Sequence, residues 1–436
     1  MLKLGCSCAE LKVPLMVELY GYGPYAGRRN RGTFSPLYCR CFSFNDGRNR
    51  AVIIYSDITS SNLQYSREIR AHIASKFSLD PACIALVATH THSAPALAAE
   101  STDTSGIRNA GFQQYWKNTV LELAERAMFA EEEISSADCG RASLEEPVGM
   151  NRVCPQKNIT DPHIRWMRFK RADGSVKLLI HNHGVHGTSD NGANYKYVSA
   201  DWMGFANRYI LENKLAENVL YLNGPAGDIN PCTSSLEMNS NEASSLLAKR
   251  YVGYLAEDLS NGVPLNTEKV SGILKTFEFP CVRRTSEELR EDSAAFTGRG
   301  DYWAVNAARL EEMALLQEQG YNLVPYNDLQ IISVGDAKFF FIPGEYYIEP
   351  GIKLLNTASG VPFAATHSNG DGGYFFTAES SARYPAPVFD DSELFGYYEI
   401  YGYMHRLKFK YQDNIAEFIM DKFKIMEEEL NEQTCN

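Results

Sequence analysis

Apolar runs of strand length alternate with amphipathic helical patterns along the whole chain. The run AVIIYSD (51–57) is followed by helically spaced apolar residues at 60–77 and then by a second run, CIALVAT (83–89). A short apolar run bounded by polar residues predicts a buried strand, and an apolar residue at every third or fourth position predicts a helix. Because strand, helix and strand follow one another directly, the sequence predicts an α/β fold.

The alternation continues towards the C-terminus, and no segment rich in Pro, Gly or Ser divides the chain. We therefore predict one large domain of mixed β-sheets flanked by helices, covering residues 1–436 and built in two halves. The other predicted elements are a helix at 109–134, a hairpin turning at Asp173-Gly174, strands at 219–224 and 269–279, a hairpin turning at Gly335-Asp336, and helices at 241–260, 286–319 (broken near Gly298) and 413–430.

One pattern occurs twice. AVIIYSD followed by IALVATHTHS is similar to KFFFIPGE followed by VPFAATHSNG: an apolar strand ending in an acid, a helix, and a second strand ending in Ala-Thr-His. Matches this short also arise by chance. If the pattern is a duplication, the two strand ends should face the same cleft and bring Glu345 and residues 367–374 towards His90.

Charge and hydropathy exclude several classes of function. The chain has 42 basic and 54 acidic residues, a formal net charge of −12, and no basic run that could follow a phosphate backbone, so we expect no nucleic-acid partner. No apolar stretch approaches the roughly 20 residues that span a bilayer, so we expect no transmembrane segment. The first residues lack the pattern of a signal peptide, which predicts a cytoplasmic protein, or a secreted one if a leader has been removed. The oligomeric state stays open.

Five of the nine histidines form two clusters, THTHS with His90 and His92, and HNHGVHGTSD with His181, His183 and His186. Both clusters follow predicted strands, and an α/β fold presents its reactive groups in such loops. Imidazole is a common zinc ligand, so the pattern favours a metal site, with hydrogen-bonding or capping histidines as the alternative. Strand alternation places His181 and His183 on one face of an ending strand, where we predict structural roles.

Several motifs resemble those of the neutral/alkaline non-lysosomal ceramidases and follow in the same order. The segment ATHTHSAPA is similar to that family's THTHSGP, and NGPAGDINP is similar to its NAGDVSPN. The other matching segments are PLYCRCFSF, VHGTS, SADWMGFA, IPGEYY and SNGDGGYFFT. The resemblance extends from about residue 10 to about residue 385, and it implies the fold of a ceramidase catalytic domain.

The family is a zinc amidase that cleaves the N-acyl bond of ceramide, and the resemblance carries over residue by residue. It implies one zinc per chain, with ligands His90, His186, Glu345 and Tyr374. It also implies that His92 stands beside the metal and that Arg152 of MNRV faces the substrate, which would be a small N-acyl or lipid-like molecule. Zinc would lower the pKa of a bound water, so that hydroxide attacks the amide carbonyl near neutral pH, and His92 would stabilise the oxyanion or protonate the leaving amine.

The chain departs from the family's motifs at two positions in the implied site. Asn230 replaces the serine of GDVSP, which excludes a serine nucleophile there but leaves an amide that can orient substrate. Asp371 replaces one of two tyrosines and adds a carboxylate near the proposed metal. Longer family members carry an immunoglobulin-like module after the catalytic domain, and from this sequence, which ends with a predicted helix near residue 430, we expect none.

Three alternatives remain open from the residues alone. The same site could act as a zinc esterase or lactonase. It could also be a two-metal phosphoesterase, for which spare carboxylates are available: Asp57, Asp201, Asp228 and Asp371. In the third alternative the chain keeps the fold without catalysis and binds a lipid or a glycan.

Overall fold

Strands and helices follow the predicted alternation in the computed structural model, which describes residues 1–22, 27–97, 109–190, 194–233, 240–298, 301–384, 399–400 and 410–435. The first elements are β1 (Lys3–Leu11), β2 (Leu37–Asn45), β3 (Arg50–Ser56), α1 (Leu63–Phe77), β4 (Ile84–Ala88), α2 (Ala110–Phe129), β5 (Glu132–Glu133) and β6 (Ser136–Ser143). They are followed by β7 (Gly149–Asn151), β8 (His163–Lys170), β9 (Val176–His183), α3 (Asp201–Glu212), β10 (Asn218–Asn223), β11 (Ile229–Pro231), α4 (Ser240–Asp258) and β12 (Val263–Pro264). The last are β13 (Val270–Glu278), β14 (Cys281–Val282), α5 (Ser286–Phe296), α6 (Asp301–Glu318), β15 (Tyr326–Val334), β16 (Ala337–Phe341), β17 (Glu345–Tyr346), α7 (Ile348–Thr357), β18 (Val361–Ala365), β19 (Tyr374–Phe375), α8 (Ala378–Ala382), β20 (Lys410–Tyr411) and α9 (Ile415–Cys435).

The predicted fold class, a mixed α/β fold with several sheets, is confirmed. Both predicted hairpins turn where expected, with Gly174 at φ +83° and Gly335 at φ +60°, conformations that glycine adopts without strain. The helix predicted at 286–319 is two helices, α5 and α6, and Gly298 follows the first of them at φ +83°. Among the helices of the described ranges, none is long and apolar enough to cross a membrane.

Three segments of the chain share one topology. In each, two antiparallel strand pairings are followed by a helix that leads to a fourth strand, parallel to the third. The first segment is β1-β2-β3-α1-β4, the second is β6-β8-β9-α3-β10, and the third is β13-β15-β16-α7-β18. The sequence pattern that occurs twice marks the first and third segments, and the second is a further copy that this pattern does not reveal.

The fourth strands of the three segments meet at their carboxyl ends. The Ala88 amide donates to His367 O at 3.2 Å, and the Thr366 amide donates to Asn223 O at 2.8 Å. The Asn223 side-chain amide closes the ring by donating to Thr89 O at 3.1 Å. The strand ends from the first and third segments therefore do face one place, as a duplication would require.

The core lies between the sheets and under the outer helices. Apolar residues of β2, β3, β8, β9, β10, β16 and β18 form one buried cluster, which joins the three segments. Helices α1 and α2 cover the other face of the first sheet, and α5, α6 and α9 cover the third. A Cβ at Gly5 would lie 1.8 Å from Ala127 O, so only glycine allows α2 to pack this closely on β1.

Candidate metal centre

The rings of His90 and His186 are held so that the Nε2 atom of each faces the same buried point. His90 follows β4 with φ +63°, and its Nδ1 is 2.9 Å from Thr59 O. His186 follows β9, and its Nδ1 is 2.7 Å from Ala226 O. A carbonyl oxygen only accepts hydrogen bonds, so each Nδ1 carries the hydrogen and each Nε2 keeps its lone pair. Backbone carbonyls in this position are the usual outer partners of metal-binding histidines.

The carboxylate of Glu345 completes this arrangement. Its Oε2 lies 3.0 Å from His186 Nε2 and 3.6 Å from His90 Nε2, and all three side chains are fully buried. Burial, together with Arg152, lowers the pKa of His186 to about 4, so this ring is neutral near pH 7. Three lone-pair donors that face one another at a fully buried point fit a bound cation.

His92 lies beside the pair. Its Nε2 is 3.1 Å from His90 Nε2, and ligand atoms of His90, His92 and His186 all lie within 4.8 Å of one another. Burial lowers the pKa of His92 well below its usual value, and His90 and His186 add to this effect. A Cβ at Gly21 would lie 2.6 Å from His92 Cγ, so the glycine backbone fixes the ring on that side. A neutral imidazole in this position can take up or give a proton.

Arg152 links the remaining predicted residues to the histidines. Its guanidinium donates to Asn230 Oδ1 at 3.0 Å and to the Tyr374 hydroxyl at 3.3 Å, and it lies 3.4 Å from His186 Nε2. Tyr374 is the register partner of Glu345 in the parallel pair β17 and β19. The seven residues predicted from the sequence therefore lie in one connected cluster. Their individual roles stay predictions, including Tyr374 as a ligand.

The other predicted residues have structural positions. His181 bonds to the Tyr251 hydroxyl and the Asn207 amide oxygen, both at 2.9 Å, and His183 Nδ1 bonds to His163 O at 2.9 Å. The structural roles predicted for both are confirmed.

The four spare carboxylates accept hydrogen bonds that hold strands, loops and helix starts. The donors are Tyr38 N and Tyr55 Oη to Asp57, Ser189 Oγ and Trp202 N to Asp201, Asn151 Nδ2 and Ile348 N to Asp228, and Ser60 Oγ and Tyr20 Oη to Asp371. Within the described part of the chain, His90, His92 and His186 form a group whose ligand atoms lie close enough to hold a metal.

Two residues of the site were not predicted to have a role. The His367 ring stacks on the His90 ring, with centroids 3.6 Å apart and planes at 14°, and the repeated Ala-Thr-His was its only signal in the sequence. Glu399 places Oε1 2.7 Å from Arg152 Nε and accepts a hydrogen bond from the Tyr347 hydroxyl at 2.9 Å. No pattern around Glu399 indicates this ion pair, because its partners are 247 and 52 positions away in the chain.

We expect Glu399→Gln to lower kcat about tenfold, since partners that orient active-site groups are worth about that much or more. Burial raises the pKa of the Glu399 carboxyl to about 7, although Arg152 opposes the rise. The Glu399 carboxylate that pairs with Arg152 is therefore negatively charged at pH values well above 7, and it is neutralised as the pH falls through about 7. The variant should lack this acidic decline in its pH–rate profile. An unchanged kcat with an unchanged profile would show that Glu399 does not orient Arg152, and Tyr347→Phe provides a milder matched change.

A buried group of imidazoles facing a carboxylate, at the ends of strands in an α/β core, is typical of metal-dependent hydrolases. The sequence matches the family described as neutral/alkaline non-lysosomal ceramidase, N-terminal, over residues 4–235, and the chain belongs to this family. The family implies a hydrolase that acts on amide bonds.

Solved structures have the same fold. The crystal structure of neutral ceramidase from Pseudomonas aeruginosa aligns with a TM-score of 0.75 at 16% identity, over 99% of this chain and 75% of that one. A ceramidase complexed with C2 aligns with a TM-score of 0.76 at 15% identity and the same two coverages. At this identity the likeness establishes the fold alone. A search among curated proteins finds no match.

Proposed function

We propose that this protein is a zinc-dependent amidase that hydrolyses the N-acyl bond of ceramide or of a smaller N-acyl compound. The observation that carries the proposal is the convergence of two Nδ1-protonated histidines and one carboxylate on a single buried point. Membership of the ceramidase family supports the choice of an amide as the bond that is cleaved.

His90, His186 and Glu345 would hold the metal, and the resemblance adds Tyr374 as a fourth ligand. These are nitrogen and oxygen donors of the kind that zinc prefers. When bound, zinc acts as a Lewis acid and lowers the pKa of a coordinated water towards neutrality. The carbonyls of Thr59 and Ala226 fix the two imidazoles with each Nε2 lone pair towards Glu345.

The rest of the reaction falls to His92 and Arg152. Amide hydrolysis adds water across the C–N bond, so one proton must reach the leaving nitrogen as the carboxylic acid forms. His92 is neutral and adjacent to His90, and it can carry this proton. The Arg152 guanidinium is fixed by Gly227 O at 2.7 Å and by Glu399, so its positive charge favours negative charge that develops on the acyl oxygen.

The first test is a metal and activity measurement on the purified protein. We expect about one zinc per chain, as in catalytic sites with three or four protein ligands. Incubation with a chelator should abolish release of fatty acid from a short-chain ceramide, and added zinc should restore it.

Two results would contradict the proposal. One is a zinc-loaded protein that releases no acid from any N-acyl substrate but cleaves a phosphate ester, and the other is amide cleavage that survives complete removal of metal. An ester of the same acyl chain should be assayed in parallel, because faster ester cleavage with no amide cleavage would favour the esterase alternative.

A further inference from the structure

Two adjoining surface segments expose large apolar side chains together with basic ones. Leu15 and Met16 are 68% and 59% exposed at a turn, and Tyr195 and Tyr197 are each 37% exposed in the second segment. Large exposed apolar groups that cluster in this way mark interaction sites, whereas isolated ones are ordinary. We name the group formed by Leu15, Met16, Arg29, Arg31, Tyr195, Lys196 and Tyr197 the docking face.

The turn is built to present its two apolar residues. The buried Asn30 accepts from the Met16 amide through both its backbone oxygen and Oδ1, at 3.1 and 3.0 Å, and its side-chain amide donates to Pro14 O at 2.8 Å. Met16 has φ +64°, a conformation that costs energy for a residue with a side chain. A clamped, strained turn with Leu and Met at its tip fits a surface that inserts into an apolar partner.

Backbone hydrogen bonds join the two segments into one surface. The Arg31 amide donates to Lys196 O at 2.9 Å, and the Val198 amide donates to Gly32 O at 2.9 Å. The Tyr197 ring lies about 3.5 Å from the position that a Cβ on Gly32 would occupy, which places it against the same strip of chain.

The charge of this surface differs from that of the whole protein. Residues 14–34 and 194–198 contain one acidic side chain, Glu18, and four basic ones, of which Arg28 is buried and Arg29, Arg31 and Lys196 belong to the docking face, in a chain with a net charge of −12. Arg29 and Arg31 are exposed, although Arg29 also pairs with Glu18 at 3.7 Å. A local positive charge on an acidic protein favours an anionic partner.

A single side chain, that of Arg28, connects the docking face to the candidate metal centre. The buried Arg28 donates to Tyr195 O at 2.8 Å with one nitrogen and to His92 O at 2.7 Å with another. A surface that approaches Tyr195 would therefore approach His92, the proposed proton carrier.

We propose that the docking face binds the surface of a membrane that contains anionic phospholipids. Leu15 and Met16 would enter the acyl region, the tyrosines would lie at the level of the headgroups, and the basic side chains would meet phosphate groups. This inference rests on the proposed function, because it identifies a bilayer as the source from which a lipid substrate reaches the site.

The test is vesicle co-sedimentation of the full chain without substrate. Wild type is expected to bind vesicles made from an equal mixture of phosphatidylcholine and phosphatidylglycerol. The double variant Leu15→Ser, Met16→Ser is expected to bind the same vesicles at least about tenfold less, because it lacks the apolar area that these two side chains would bury. Phe129→Ser, at a side chain 78% exposed at the end of α2, is the matched control and should bind as wild type does. Arg31→Gln with Lys196→Gln should weaken binding to the mixed vesicles more than to phosphatidylcholine alone.

Failure of this inference is distinguishable from failure of the proposed function, because binding needs no turnover. A protein that cleaves a soluble N-acyl substrate but does not bind vesicles overturns the membrane proposal alone, and one that binds without cleaving supports it. Equal binding by wild type and the double variant overturns it. If the double variant instead loses a dimer that wild type forms, with no vesicle binding by either, the face is a contact between copies and the proposal is wrong.

Discussion

His186→Ala is expected to remove the metal from the purified protein and to lower kcat/KM by more than about a hundredfold, since even outer partners of metal ligands are worth up to that factor. His186 Nε2 is one of two ring nitrogens whose lone pairs meet Glu345, so its loss removes one of the two predicted imidazole ligands. Elemental analysis and N-acyl hydrolysis measured on the same sample check both parts of the prediction.

The matched control is His183→Gln, three residues earlier at the end of β9. His183 is as buried as His186, but its Nδ1 bonds to a backbone carbonyl of another strand rather than supporting the metal centre. Its replacement should lower the free energy of unfolding by about 1–3 kcal/mol through an unsatisfied partner, with metal content unchanged. If both variants lost metal equally, the effect would belong to the fold of this segment, and His186 would not be established as a ligand.

Much of the fold could be predicted because its signals are local. Apolar runs of strand length and helical spacing depend on burial of one face of each element, so the segment from β3 through α1 to β4 was visible in the sequence. The repeat in the second segment could not be seen. Its third strand ends in His-Asn-His and its fourth in Leu-Asn-Gly, so the topology is shared without the Ala-Thr-His motif.

The candidate site likewise contains residues that local sequence patterns predict and residues that they do not. His90, His92 and His186 lie in short histidine clusters, and strand alternation separated His186 from the structural His181 and His183. Arg152 was predicted only through the resemblance to a family, whereas the repeated pattern also indicated that Glu345 and residues 367–374 lie near His90. Glu399 and Arg28 were missed, because their roles come from contacts between segments far apart in the chain.

The second large effect is expected at Arg152, and it differs in kind from that at His186. Arg152→Ala should lower kcat by about 10²–10³, the typical loss when one group that stabilises a developing oxyanion is removed. The metal content should stay at the wild-type level, because the guanidinium is 3.4 Å from His186 Nε2 and is not itself a donor of electrons to a metal.

Arg152→Lys separates charge from geometry. Arg152 contacts Glu399 through Nε and Asn230, Gly227 and Tyr374 through its two terminal nitrogens. A lysine ammonium keeps the charge but cannot reproduce this planar fork, so the lysine variant should recover little of the lost kcat. Full recovery would mean that positive charge alone is needed. Loss of metal from either variant would instead place Arg152 among the groups that hold the metal, since its contacts with His186 and Tyr374 would then be needed to keep the donors together.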